Sequence, residues 1–91
     1  MPYIDKAKRE GFENALTSIV ARMLSEDEAA RAGILNYCIS TLISKSLVSM
    51  GTNYVKLNEL IGVLECAKLE LYRRVASPYE DEKVESNGDV Y

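Results

Sequence analysis

Residues 54–76 read Tyr54-Val55-Lys56-Leu57-Asn58-Glu59-Leu60-Ile61-Gly62-Val63-Leu64-Glu65-Cys66-Ala67-Lys68-Leu69-Glu70-Leu71-Tyr72-Arg73-Arg74-Val75-Ala76. No proline interrupts the run, and Gly62 is its only weak helix former. At 1.5 Å per residue such a helix is roughly 34 Å long. Thr52 or Asn53 can cap its start. Ser77-Pro78 is expected to end it, because proline lacks an N–H and restricts the residue before it. Tyr54, Leu57, Ile61, Leu64, Leu71 and Val75 form one apolar stripe. Leu60, Val63 and Ala67, again with Leu71, form a second. Together they are wider than the ~100° that a surface helix buries against one neighbour. The excess predicts a homo-oligomer with this helix in the interface, the alternative being that the first helix and the tail fold over the second stripe. Leu57, Asn58, Ile61, Leu64, Glu65 and Leu71 are the interface candidates. Asn58 is suited to fixing register by an amide hydrogen bond. Glu65, between Leu64 and Cys66, would need Lys68 or an arginine of another copy if it were buried.

Working back along the chain, Ile34, Leu35, Cys38, Ile39, Leu42, Ile43, Leu47 and Val48 recur at helical spacing and predict a second helix over about 34–50. Gly51 follows it in a position where a positive φ is inexpensive. The short Gly51–Asn53 link predicts that the second and third helices form an antiparallel hairpin. Further back, Phe12, Leu16, Ile19, Val20, Met23 and Leu24 mark a first helix over about 5–24, with Asp5 as its cap. Gly11 weakens its first turns. Ser25-Glu26-Asp27-Glu28 has the form of a capping box that closes this helix and opens a short turn, punctuated by Gly33. The expectation is an all-α fold with a helical domain at 1–78. An extended acidic tail follows at 79–91.

The chain has 91 residues, enough for one domain. It has 11 basic and 14 acidic residues, a net charge of −3, no His, no Trp and two Cys. The acidity is concentrated in Glu80, Asp81, Glu82, Glu85 and Asp89, set against Lys83 alone, so the body is nearly neutral. A nearly neutral body argues against direct grip on a nucleic-acid backbone. The absence of His removes imidazole acid–base chemistry and Glu-x-x-His metal pairs. Two separated cysteines make a poor zinc set, and Cys38 and Cys66 are expected as small packed hydrophobes. No phosphate-binding glycine loop or nucleophile-elbow motif occurs. No enzyme activity, metal or cofactor is expected. The opening residues lack a signal-peptide pattern, no apolar run reaches ~20 residues, and a cytoplasmic protein is expected.

Two groups of residues are suited to binding. Lys68, Tyr72, Arg73 and Arg74 combine cations with an aromatic ring, a set that suits phosphates and stacked bases. The same cations can pair within the helix, Lys68 with Glu65 and both arginines with Glu70. In the tail, Tyr79 and Tyr91 are candidate anchors that would let Glu80, Asp81 and Lys83 dock on a subunit as a lid.

The run Leu57–Val75, the following Pro78-Tyr79-Glu80-Asp81-Glu82-Lys83 and the closing Asn87-Gly88-Asp89-Val90-Tyr91 resemble a small family of unknown function found in bacteriophage and bacterial genomes. Met1-Pro2-Tyr3-Ile4 and Leu35-Asn36-Tyr37 resemble it too. The resemblance implies a phage or prophage accessory protein and brings no catalytic residues with it. Small phage-encoded helical oligomers sequester nucleotide signals of bacterial defence, an analogy of size and source. The leading expectation is therefore an anti-defence oligomer holding a nucleotide-like ligand between subunits. The alternative is an adaptor or inhibitor that engages a host protein through the acidic tail.

Overall fold

A computed structural model describes residues 4–91. Met1-Pro2-Tyr3, part of the family resemblance, lies outside the described residues. The described chain is all-helical, without strands, and forms three helices, the last of about 34 residues. It divides into two units, residues 4–53 and 54–91.

In the first unit, α1 spans Lys6–Leu24 and α2 spans Arg31–Met50, joined through a 3-10 turn at Glu28–Ala30. α1 passes Gly11 without a break. Asp5 precedes it with an extended ψ of 144° but makes no side-chain cap bond. The expected capping box is not formed. The Ser25 hydroxyl turns back and donates to the Arg22 carbonyl at 2.6 Å, and Arg22 Nη1 donates to the same Ser25 oxygen at 2.8 Å. With its hydroxyl spent on closing α1, Ser25 has none left to cap the next turn. Arg22 also pairs with Glu26 at 2.6 Å, across one helical turn. Arg31 reaches back from the start of α2, its Nη2 donating to the Leu24 carbonyl at 3.2 Å. A cation at a helix C-terminus satisfies an orphan carbonyl and the helix dipole together. This contact ties the two helix ends across the link. α2 begins three residues earlier than expected and contains Gly33, because the helical turn at 28–30 leads directly into it.

Gly51 ends α2 with φ 82° and ψ 161°, a conformation essentially confined to glycine, and donates its N–H to the Leu47 carbonyl at 2.8 Å. The expectation of a positive φ there is met.

The second unit is one long helix. α3 spans Tyr54–Leu71, a π-helical turn spans Tyr72–Ala76, and α4 spans Ser77–Asn87. The expected stop at Ser77-Pro78 therefore does not occur, and residues 79–87 are helix rather than extended tail. The π-turn is the physical reason. A proline inside an α-helix loses one hydrogen bond, and its ring strikes the carbonyl four residues back. Here the ladder widens just before it, with the Ser77 N–H bonding the Tyr72 carbonyl five residues back. Pro78 then stands in the first turn of α4, where a missing donor costs little. Gly88, with φ 90°, ends α4 and bonds the Val84 carbonyl at 2.9 Å.

No described residue is buried. Ordering a chain of this length costs on the order of 100 kcal/mol of conformational entropy, which apolar burial has to offset. Leu57 and Leu64 remain 37% and 41% exposed, Ile61 and Leu71 63% and 62%. Cys38 is half-buried, whereas Cys66 is exposed and corrects the expectation of a packed thiol. Cys66 lies five residues after Ile61, on the side of α3 away from the Leu57–Ile61–Leu64 stripe.

Candidate functional site

The residues singled out for ligand binding all fall where α3 runs into the π-turn. Their cations are engaged along the helix. Lys68 Nζ lies 3.1 Å from Glu65 Oε1. Arg73 Nη2 donates to Glu70 Oε1 at 2.7 Å, and Arg74 Nη1 lies 3.8 Å from Glu70 Oε2. One carboxylate thus stands between two guanidinium groups, as the i,i+3 and i,i+4 spacing leads one to expect.

Tyr72 behaves differently. Its hydroxyl donates to Glu80 Oε2 at 3.1 Å, across the π-turn and past Pro78. In a straight α-helix, residues eight apart are offset by about 80° around the axis. The extra residue of the π-turn makes eight steps act like seven, within about 20° of alignment over two turns. The backbone irregularity therefore places Tyr72 and Glu80 on one face. The hydrogen bond to Glu80 holds the Tyr72 phenol above its ordinary pKa, aided by the Glu80 charge and then by slight desolvation and Asp81.

Glu80 is thus the tail residue brought to the cluster by a direct bond. Asp81 adds only its charge. Lys83 turns to the ring of Tyr79, its Nζ 5.4 Å from the centroid, a cation–π contact within α4. Tyr79 is exposed and Tyr91 fully so. Tyr79 thus meets Lys83 of its own helix, and the terminal residues turn on themselves. The Tyr91 N–H bonds Asp89 Oδ1 at 2.9 Å. Residues 88–91 and the last turns of α4 enclose an open hollow of about 400 Å³, lined by Glu80, Lys83, Val84 and Asn87.

The interface candidates all lie on α3. Leu57, Ile61, Leu64 and Leu71 share one exposed face, and Asn58 and Glu65, seven residues apart, flank it on one side. Sequence reasoning passed over a second feature, on α2. Two shallow hollows of about 420 and 630 Å³ share Ser40 and Ser44 in their linings, and Gly33 and Asn36 extend the second. The legible signal was the recurrence of small residues at 33, 40 and 44 on one helix face. The Ser40 hydroxyl bonds Asn36 Oδ1 at 3.1 Å, one turn back.

Among the described residues, no group of three or more Cys, Asp or Glu could hold a metal ion. No helix among them is long and apolar enough to cross a membrane.

A family model described as Domain of unknown function (DUF6899) matches residues 1–90. The chain belongs to that family. No curated protein and no solved structure matches this DUF6899 chain. The resemblance carried by the Leu57–Val75 run and the C-terminal motifs therefore leads to an uncharacterised family, as expected.

Proposed function

We propose that this DUF6899 protein is a non-enzymatic homo-oligomer that binds a small anionic, nucleotide-like ligand between its subunits. The observation that carries the reading is that every large apolar side chain described on α3 stays at least partly exposed. A second copy supplies the burial that the single chain lacks. Lys68, Tyr72, Arg73 and Arg74 form the ligand set. Their ion pairs lie at the surface, and such pairs are worth about 0–1 kcal/mol. A phosphate group can take the place of the Glu70 carboxylate at two guanidiniums already held apart for bidentate contact. Tyr79, Glu80, Asp81, Lys83 and Tyr91 act as the lid, with Glu80 leaving Tyr72 as the ligand enters. The hairpin of the second and third helices, a cytoplasmic location, a bacteriophage source and a role against host defence belong to the same proposal.

Native mass spectrometry of untagged protein purified gently from a bacterial host tests this reading. A discrete oligomer carrying one nucleotide-sized mass per site is the expected result. A monomer at micromolar concentration overturns it. A ligand-free oligomer that binds no cyclic oligonucleotide or ADP-ribose derivative in calorimetry removes the ligand half.

A second reading is favoured by one observation. Glu80, Asp81, Glu82 and Glu85 are displayed on a formed helix, a preorganised acidic surface for a basic host protein. Deleting residues 79–91 would then abolish capture of that protein and leave the oligomer unchanged.

A further inference from the structure

We infer that α3 pairs through its Tyr54–Leu71 seam with the same seam of a second copy, and that the two helices run antiparallel. The inference rests on the homo-oligomer reading and goes beyond it by naming the surface and its direction.

The seam is defined by spacing. Tyr54, Leu57, Ile61, Leu64, Lys68 and Leu71 follow one another at alternating steps of three and four. This is the 3.5-residue repeat of a helix that packs along a single partner helix. Five of the six side chains are apolar, and all five are exposed along unbroken α-helix. The seam stops where the π-turn begins, because an extra residue in the turn throws the repeat out of phase.

Lys68 decides the direction. It is the one charged residue in the seam, with its ammonium drawn aside to Glu65 at 3.1 Å. Two parallel helices in register would set Lys68 against Lys68 of the other copy, like charges face to face. Antiparallel helices can be set with Ile61 against Leu64 of the other copy. In that register Lys68 faces Leu57 and Tyr54 faces Leu71. Each layer then occurs twice about a two-fold axis, and no layer holds two charges. The flanks agree with this register. Asn58 comes beside Glu65 of the other copy, where its amide can donate to the carboxylate. On the opposite flank Leu60 meets Ala67, a large residue against a small one. The seam thus complements itself in size, avoids facing like charges and gives Glu65 an amide donor, which points to a second copy of this chain as the occupant.

Cysteine cross-linking tests the direction in the full chain. Ile61→Cys and Leu64→Cys are made separately in a C38S/C66S background, one of them isotope-labelled, then mixed and mildly oxidised. The mixed disulfide, read by intact mass, is expected to dominate over either self-linked product. Self-linked Ile61→Cys dimer in excess of the mixed product, or an oligomer that forms no disulfide, overturns the antiparallel seam and leaves the oligomer reading standing. A monomer in the unmutated protein overturns both. A second measurement avoids cysteine variants altogether. Lys68→Glu mixed with unmutated protein should exchange at random in native mass spectra. Preferential pairing of the two, the mark of facing position 68 residues, overturns the proposal.

Discussion

Replacing Ile61 by Ala should weaken the self-association of this chain by a large and calculable amount. Ile61 is 63% exposed in the single chain, and the proposed seam covers it in the pair. Full burial of an isoleucine-sized side chain is worth about 1.5–3 kcal/mol. The share still open to water is then about 1–2 kcal/mol per copy, and a two-fold interface counts it twice. The loss is about 2–4 kcal/mol, a rise in the dimer dissociation constant of about 30-fold to several hundred-fold. Leu69→Ala is the control. Leu69 is comparably exposed, at 54%, but lies off both apolar stripes of α3. Its truncation should move the constant by less than about 0.5 kcal/mol. Sedimentation equilibrium over a dilution series reads both constants, and circular dichroism at the same concentrations shows whether helicity falls with dissociation. Equal shifts for the two variants, or no shift for Ile61→Ala, would refute the assignment of the seam.

Three further outcomes follow from particular contacts. Pro78→Ala removes the reason for the wide turn and should return Tyr72–Ala76 to α-helix, with a gain in helix stability well below the ~3 kcal/mol that proline costs in a regular helix interior, because Pro78 already stands in the first turn of α4. Carbon chemical shifts and amide exchange at Ser77–Tyr79 would report the change, and an unaltered π-turn would show that proline is not its cause. Glu80→Gln should bring the Tyr72 phenol back toward its ordinary titration range, read as the difference from Tyr72→Phe in ultraviolet absorbance. Because the folded pKa is raised, the Tyr72–Glu80 contact contributes fully below pH 10 and is lost as the pH climbs through the raised value. A Tyr72 titration that ignores Glu80 would disprove the contact. Gly51→Ala forces a side chain into φ 82°, ψ 161° and should destabilise the folded chain by about 1–3 kcal/mol in thermal unfolding, whereas Gly62→Ala, within regular helix and with nothing within 4 Å of the added carbon, should stabilise it.

The helical periods, the glycine end of α2 and the ion pairs of Glu65 and Glu70 were legible from residue order alone. All of them depend on neighbours within two turns of one helix, where spacing dictates geometry. The same local logic failed at three places. Pro78 reads as a stop because propensity weighs only the α and coil states, and the π-turn is a third way past a missing donor. Ser25 reads as an N-cap, but a hydroxyl has two helices within reach and closes the one behind it. Cys66 reads as packed because its neighbours in sequence are apolar, yet a helix separates adjacent residues by about 100° and sends them to different faces. Residue order therefore determined the three helical periods up to residue 76 and which side chains line each of their faces, but not that the last helix continues through Ser77–Asn87. The tertiary structure decided that Arg31 ties α2 back to the end of α1. It also decided that Tyr72 reaches Glu80, because the path of the backbone through a turn sets which distant groups come within a hydrogen bond.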